Sequence, residues 1–167
     1  SVSITDAAGC PGEASFAITE PAKITLQVVK EDVSCHGLTD GSLIALANGG
    51  ASGFSYQWSN GATTDMIGNL SAGTYTVTVT DITNCTTQAS ATITEPAALS
   101  LTASITGVSC NGEDNGSITV MVSGGTFPYL FHWNNGSNAS SIANLSAGSY
   151  TVTVTDSKLC ESIATYT

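Results

Sequence analysis

The chain has 167 residues, only 10% of them charged, and its 13 acidic against 3 basic side chains give a net charge of −10. Nucleic acid and anionic membranes are held by clustered Lys and Arg, whereas Lys23, Lys30 and Lys158 stand singly, so neither is an expected partner. No apolar run reaches the about 18 residues that a membrane-spanning helix needs, and no membrane insertion is expected of this segment.

The sequence repeats every 75 residues without a gap: Cys10, Cys85 and Cys160 are spaced so, as are Asp6, Asp81 and Asp156. The same shift carries Cys35 to Cys110, Trp58 to Trp133, Tyr75 to Tyr150 and Glu20-Pro21 to Glu95-Pro96. Tandem copies supply length, valency or a repeated surface more readily than a catalytic centre. The expected division is 1–21 as the last hairpin of a preceding unit, 22–96 as one unit, and 97–167 as a second that stops short. Ser1 is in register with Thr76 and Thr167 with Thr92, which predicts a piece of a longer array.

In chain order each unit opens with an extended run, Ile24 to Val33 or Leu99 to Val108, then a Gly-containing turn. Strands follow at Ser42 to Ala47 and Ser117 to Val122, and then an aromatic face of Phe54, Tyr56 and Trp58, or Tyr129, Phe131 and Trp133. Asn60-Gly61 and Asn135-Gly136 carry the residues that a tight hairpin favours. A short strand near Ile67 or Ile142 leads to the Tyr75 and Tyr150 strands, where Val and Thr alternate with the period of a half-buried strand. A last hairpin turns at Asp81 to Asn84, with Asp81 and Asp156 as its caps, and its return strand buries Ala89, Ala91 and Ile93. No helical periodicity occurs. The expected fold is all-β: tandem seven-strand immunoglobulin-like β-sandwiches, with Trp58 and Trp133 in the core and Tyr75 and Tyr150 at the corner before the strand that each opens.

Five cysteines in small, lysine-poor, Thr-rich units point to an oxidising compartment. Pairing within units would join Cys35 to Cys85 and Cys110 to Cys160, with about 4 kcal/mol of chain-entropy stabilisation for each. The strand order opposes this, since Cys35 and Cys85 fall at opposite poles, roughly 20–25 Å apart for strands of six or seven residues. Head-to-tail stacking would instead bring Cys35 to Cys160, leaving Cys10, Cys85 and Cys110 unpaired. Both schemes remain open from the sequence. Asp40, Glu113 and Asp114 are the candidate calcium ligands, against the alternative of turn residues that bond their own backbone. No other cofactor is expected, and no nucleophile–base spacing marks an enzyme.

Gly124 to Tyr129, Trp133 to Gly136, Asn144 to Asp156 and Cys160 resemble the SprB-type repeat, and Trp58 to Thr64 with Asn69 to Asp81 matches it in the first unit. The first unit departs at Ser52-Gly53, where that family has Pro before the aromatic residue. The family forms long arrays in giant surface adhesins of gliding and other Bacteroidetes. The resemblance implies an exported protein on the outer surface of a Gram-negative cell, used in adhesion or gliding. Two roles follow for the repeats: a shaft whose partners are its neighbouring repeats, or weak polysaccharide-binding modules that act through avidity.

Overall fold

The computed structural model describes residues 1–167 and contains strands but no helix. A leading hairpin pairs β1 (Val2–Thr5) with β2 (Pro11–Ala14). The first unit holds β3 (Thr25–Glu31), β4 (Gly41–Asn48), β5 (Ser55–Trp58), β6 (Met66–Leu70), β7 (Gly73–Thr80) and β8 (Thr86–Ile93). The second repeats them as β9 (Ser100–Thr106), β10 (Gly116–Ser123), β11 (Leu130–Trp133), β12 (Ser141–Leu145), β13 (Tyr150–Thr155) and β14 (Glu161–Tyr166).

Each unit is an immunoglobulin-like sandwich of two antiparallel three-stranded sheets, β3-β4-β6 facing β5-β7-β8 and β9-β10-β12 facing β11-β13-β14. Six strands form where seven were expected. The Asn-Gly turn is present, with Gly61 at φ 90° and its N–H donating to the Trp58 carbonyl, but no return strand pairs with β5. The indole N–H of Trp58 donates instead to the Thr64 carbonyl at 2.8 Å, and that of Trp133 to Ala139 at 2.8 Å. These bonds hold the segment after the turn as it crosses to the opposite sheet, where β6 pairs with β4.

Alternation builds the core. Val77 and Val79 point inward with no exposed surface, as do Val152 and Val154, and they pack with Trp58 or Trp133. Their Thr neighbours point outward and bond across the strands, Thr74 to Thr92 at 2.9 Å, Thr76 to Ser90 at 2.8 Å and Thr151 to Thr165 at 2.9 Å. The Tyr75 hydroxyl donates to the Ser71 carbonyl at 3.1 Å and that of Tyr150 to Ser146 at 3.0 Å, so each Tyr ties its strand to the corner before it. The two cores share no residue.

The registers place residues 24, 48–50 and the 81–85 turn at one end of the first sandwich, here the proximal pole. Residues 33–41, 70–73 and 93 lie at the distal pole. The chain leaves the first unit at its distal pole and enters the second at its proximal pole. The functional geometry lies between them.

Candidate functional site at the junction between the units

Residues 93–98 connect the sandwiches, and both units hold them. On the first unit, the Val33 N–H donates to the Thr94 carbonyl at 3.0 Å, and the Thr94 N–H donates to Asp32 Oδ1 at 2.7 Å. Lys30 Nζ bonds both Asp32 oxygens at 2.9 Å and the Thr92 carbonyl at 3.0 Å. The ammonium and then the Thr94 amide hold the Asp32 carboxyl below its ordinary range. Glu95 turns back to accept the Gly37 N–H at 2.6 Å, with His36 Nδ1 3.3 Å from its other oxygen. Ile93 closes the core beneath this contact, 1% exposed.

On the second unit, the Gly125 N–H donates to the Ala97 carbonyl at 2.8 Å, just as Gly50 donates to Ala22 at 2.7 Å at the same place one unit earlier. Gly124 has φ 71°, and a Cβ there would overlap the Ala98 carbonyl. The Gly-Gly pair is therefore required by both conformation and close backbone approach.

A disulfide crosses the junction from Cys35 to Cys160, with the Cα atoms 5.7 Å apart. Pairing within units does not occur, and Cys10, Cys85 and Cys110 are exposed free thiols. The reason is positional: Cys35 sits at the distal pole of its own sandwich and Cys85 at the proximal pole. The Cys160 sulfur lies 3.5 Å from the Ser34 carbonyl.

Asp156 presents Cys160 to this bridge. Its Oδ1 accepts the N–H groups of Lys158 at 2.8 Å and Cys160 at 2.9 Å, while Oδ2 accepts that of Thr126 at 2.7 Å. Burial works to raise this carboxyl, but the amides of Cys160, Thr126 and Lys158, with the Lys158 charge, hold it below its ordinary value. Asp81 does the same for Cys85, accepting from Ala51, Thr83 and Cys85. The Ala51 amide, then the Thr83 hydroxyl, lower its pKa to about 2. Each Asp thus caps its hairpin and also clamps the turn to the Gly-Gly loop.

The family model described as SprB repeat matches residues 28–63 and 102–138. Each unit is thus similar to the SprB repeat over its first half. Each match runs from the first strand to the Asn-Gly turn, and the 75-residue period extends the equivalence over the remainder of each unit. The SprB match gives the chain the broad role of a cell-surface adhesin repeat. No curated protein matches the chain. Among solved structures, one described as "Structural basis for Dscam isoform specificity" is similar at 14% identity, with a TM-score of 0.38 over 87% of this chain and 45% of that one. The chain thus spans less than half of that one's length.

The two units hold the calcium candidates in a turn. The Asp40 carboxylate accepts both the N–H and the hydroxyl of Ser34, and Asn115 closes the corresponding turn through the Ser109 N–H at 3.0 Å. The Ser34 hydroxyl and then its amide lower the Asp40 carboxyl. Glu113 and Asp114 are exposed, and no three His, Cys, Asp or Glu side chains converge.

The sequence places Glu95-Pro96 at the handover between units, as a short semi-rigid junction, but it singles out neither the contacts of Glu95 nor the Gly-Gly pair. The signal was there: Glu-Pro and Gly-Gly both recur at the period. Nothing local said that they contact each other's units. Asp32 recurs as Gly107, so its part in the junction left no periodic trace.

Proposed function

We propose that this chain is a length of shaft in a bacterial surface adhesin used in gliding or attachment, displayed outside a Gram-negative cell. The observation that carries this reading is the junction, which is covalently bridged and also hydrogen-bonded to both units. A hinge would leave such a linker unbonded, whereas a load-bearing rod gains from fixing it. The partners of each repeat are, on this reading, its neighbours.

The outer surface supports the same reading. What recurs at the period outside the cores is the Thr and Ser ladder and one exposed apolar position, Leu46 and Met121. The exposed aromatic Phe127 aligns with Ser52. The outward row Val29, Ile44 and Met66, which crosses the first unit's sheet, aligns with Ser104, Thr119 and Ser141. Avidity needs one site copied many times, and these apolar features are not copied.

The test is binding of the oxidised chain, displayed at several valencies, to a polysaccharide array and to agar and glass. A shaft shows no binding that grows with valency. Binding that strengthens with copy number would make the repeats the adhesive and defeat this reading.

A further inference from the structure

Asparagine is followed by glycine at Asn48, Asn60, Asn111, Asn115 and Asn135. Glycine presents its backbone nitrogen without a Cβ to shield it, so that nitrogen can attack the side-chain carbonyl of the asparagine before it. Whether it does so depends on how the fold places the two groups.

Three of these pairs are held away from reaction. In the turns at Asn60 and Asn135 the glycine N–H is engaged elsewhere, Gly61 donating to the Trp58 carbonyl and Gly136 to that of Trp133, each at 2.9 Å. The side-chain carbonyls are engaged beyond their glycines, Asn60 accepting from the Ala62 N–H at 3.2 Å and Asn135 from that of Ser137 at 3.1 Å. Asn115 is tied at both ends of its amide. Its Oδ1 accepts the Ser109 N–H at 3.0 Å and its Nδ2 donates to the Ser109 hydroxyl at 2.6 Å, while Gly116 is buried in β10.

Asn48 is arranged in the opposite way. Its Oδ1 accepts the Gly49 N–H itself at 2.7 Å, which sets the nucleophile against the carbonyl that it attacks. Asn48 is exposed, so water reaches it. Gly49 is fixed in this position, with φ 81° and no room for a Cβ beside the Lys23 carbonyl. Just beyond it, the Gly50 N–H donates to the Ala22 carbonyl and the Ala51 N–H to Asp81. The pair therefore lies in the loop by which the first unit grips its entering linker. In the second unit Ser123 takes the place of Asn48, and its hydroxyl offers no carbonyl to attack.

We propose that Asn48-Gly49 is a self-modifying site, at which the first unit deamidates in water and loosens its grip on the linker at Ala22. The Gly49 nitrogen bonds to Asn48 Cγ and passes its proton to the departing amide. The Cγ–Nδ2 bond breaks, ammonia leaves and a cyclic imide remains. Water then opens the imide. Cleavage at Cγ gives aspartate, and cleavage at the main-chain carbonyl gives isoaspartate. One water is consumed, one ammonia is released, and no oxidant or reductant takes part. Isoaspartate adds a carbon to the main chain where the loop is held on both sides, and either product places a negative charge in a loop already clamped by the Asp81 carboxylate. This goes beyond the shaft reading and does not depend on it.

The test incubates the full oxidised chain in mildly alkaline buffer, with Asn111→Ser removing the pair in the exposed distal turn. Peptide mass spectrometry follows each asparagine, and isoaspartyl methyltransferase labelling separates the products. A urea-unfolded sample sets the unrestrained rate. In the folded chain Asn48 should convert about tenfold faster than Asn60, Asn115 or Asn135, and all four should convert at similar rates in urea. Exchange of the Gly50 amide should then be about tenfold faster in the converted chain than in the fresh one. Asn48→Ser, which installs the second unit's residue, should remove both the isoaspartate and that acceleration. An Asn48 as slow as the three held residues would overturn the site, and unchanged Gly50 exchange after conversion would overturn the loosening.

Discussion

At the scale of single residues, the turn that carries Cys160 contains a misfit. Leu159 has φ 66°, a conformation that Asn84 and Gly9 fill at the equivalent positions. A left-handed Leu costs roughly 1–2 kcal/mol that Asn largely avoids. Its side chain is 79% exposed, so little packing opposes a change. Leu159→Asn should therefore stabilise the second unit by about 1 kcal/mol, a rise of about 4–8 °C in its midpoint on thermal unfolding. A lower midpoint would show that the Leu is held for another reason. Asp81 makes the opposite kind of contribution. Its folded pKa of about 2 lies below the ordinary 3.8, so its stabilisation is complete above the ordinary value and is lost as pH falls toward 2. Asp81→Asn should lower the first unit's midpoint at neutral pH and flatten its decline in that acid window. An unchanged acid limb in melts across the window would rule out the clamp as its source.

At the scale of elements, alternation and aromatic placement made most of the strands readable. Val77, Val79 and Trp58 were legible as core because a period of two leaves only one face for a sheet to bury. That the strand after the Asn-Gly turn pairs with β4 instead of β5 was not legible, since Asn-Gly chemistry is the same whichever sheet the next strand joins. What decides is the Trp58 indole, which claims the Thr64 carbonyl and sends the chain to the other sheet. Trp58→Ala should cost about 3–5 kcal/mol, a large part of the about 4–11 kcal/mol expected of a unit this size. Because the two cores are separate, calorimetry should show one transition displaced far down while the second unit's moves much less. Equal displacement of both would mean that the sandwiches unfold as one.

At the scale of the whole molecule, the bridge closes one loop, with a sequence separation of 125, that runs through both sandwiches and is worth about 5 kcal/mol in total on the chain-entropy model. Cys35→Ser should thus lower both calorimetric transitions, where loss of a bridge confined to one unit would lower one. Small-angle scattering should record a broader spread of maximum dimensions as the junction loosens. If both transitions and the scattering stay as they were, the bridge carries no load.

The 75-residue period, the strands, the core faces and the family resemblance were determined by the sequence alone, because alternation and exact spacing are local properties that need no partner. The polar positions of Cys35, Cys85 and Cys160 also followed from strand order. Which cysteine meets which was decided only by the tertiary structure. Two sandwiches stacked pole to pole bring together residues 125 apart, while each sandwich keeps its own two cysteines at opposite ends. Glu95, Asp32 and the Gly-Gly loops likewise acquired their role at that contact, since a junction is made by the faces of two folded units and neither face is written in one segment of chain.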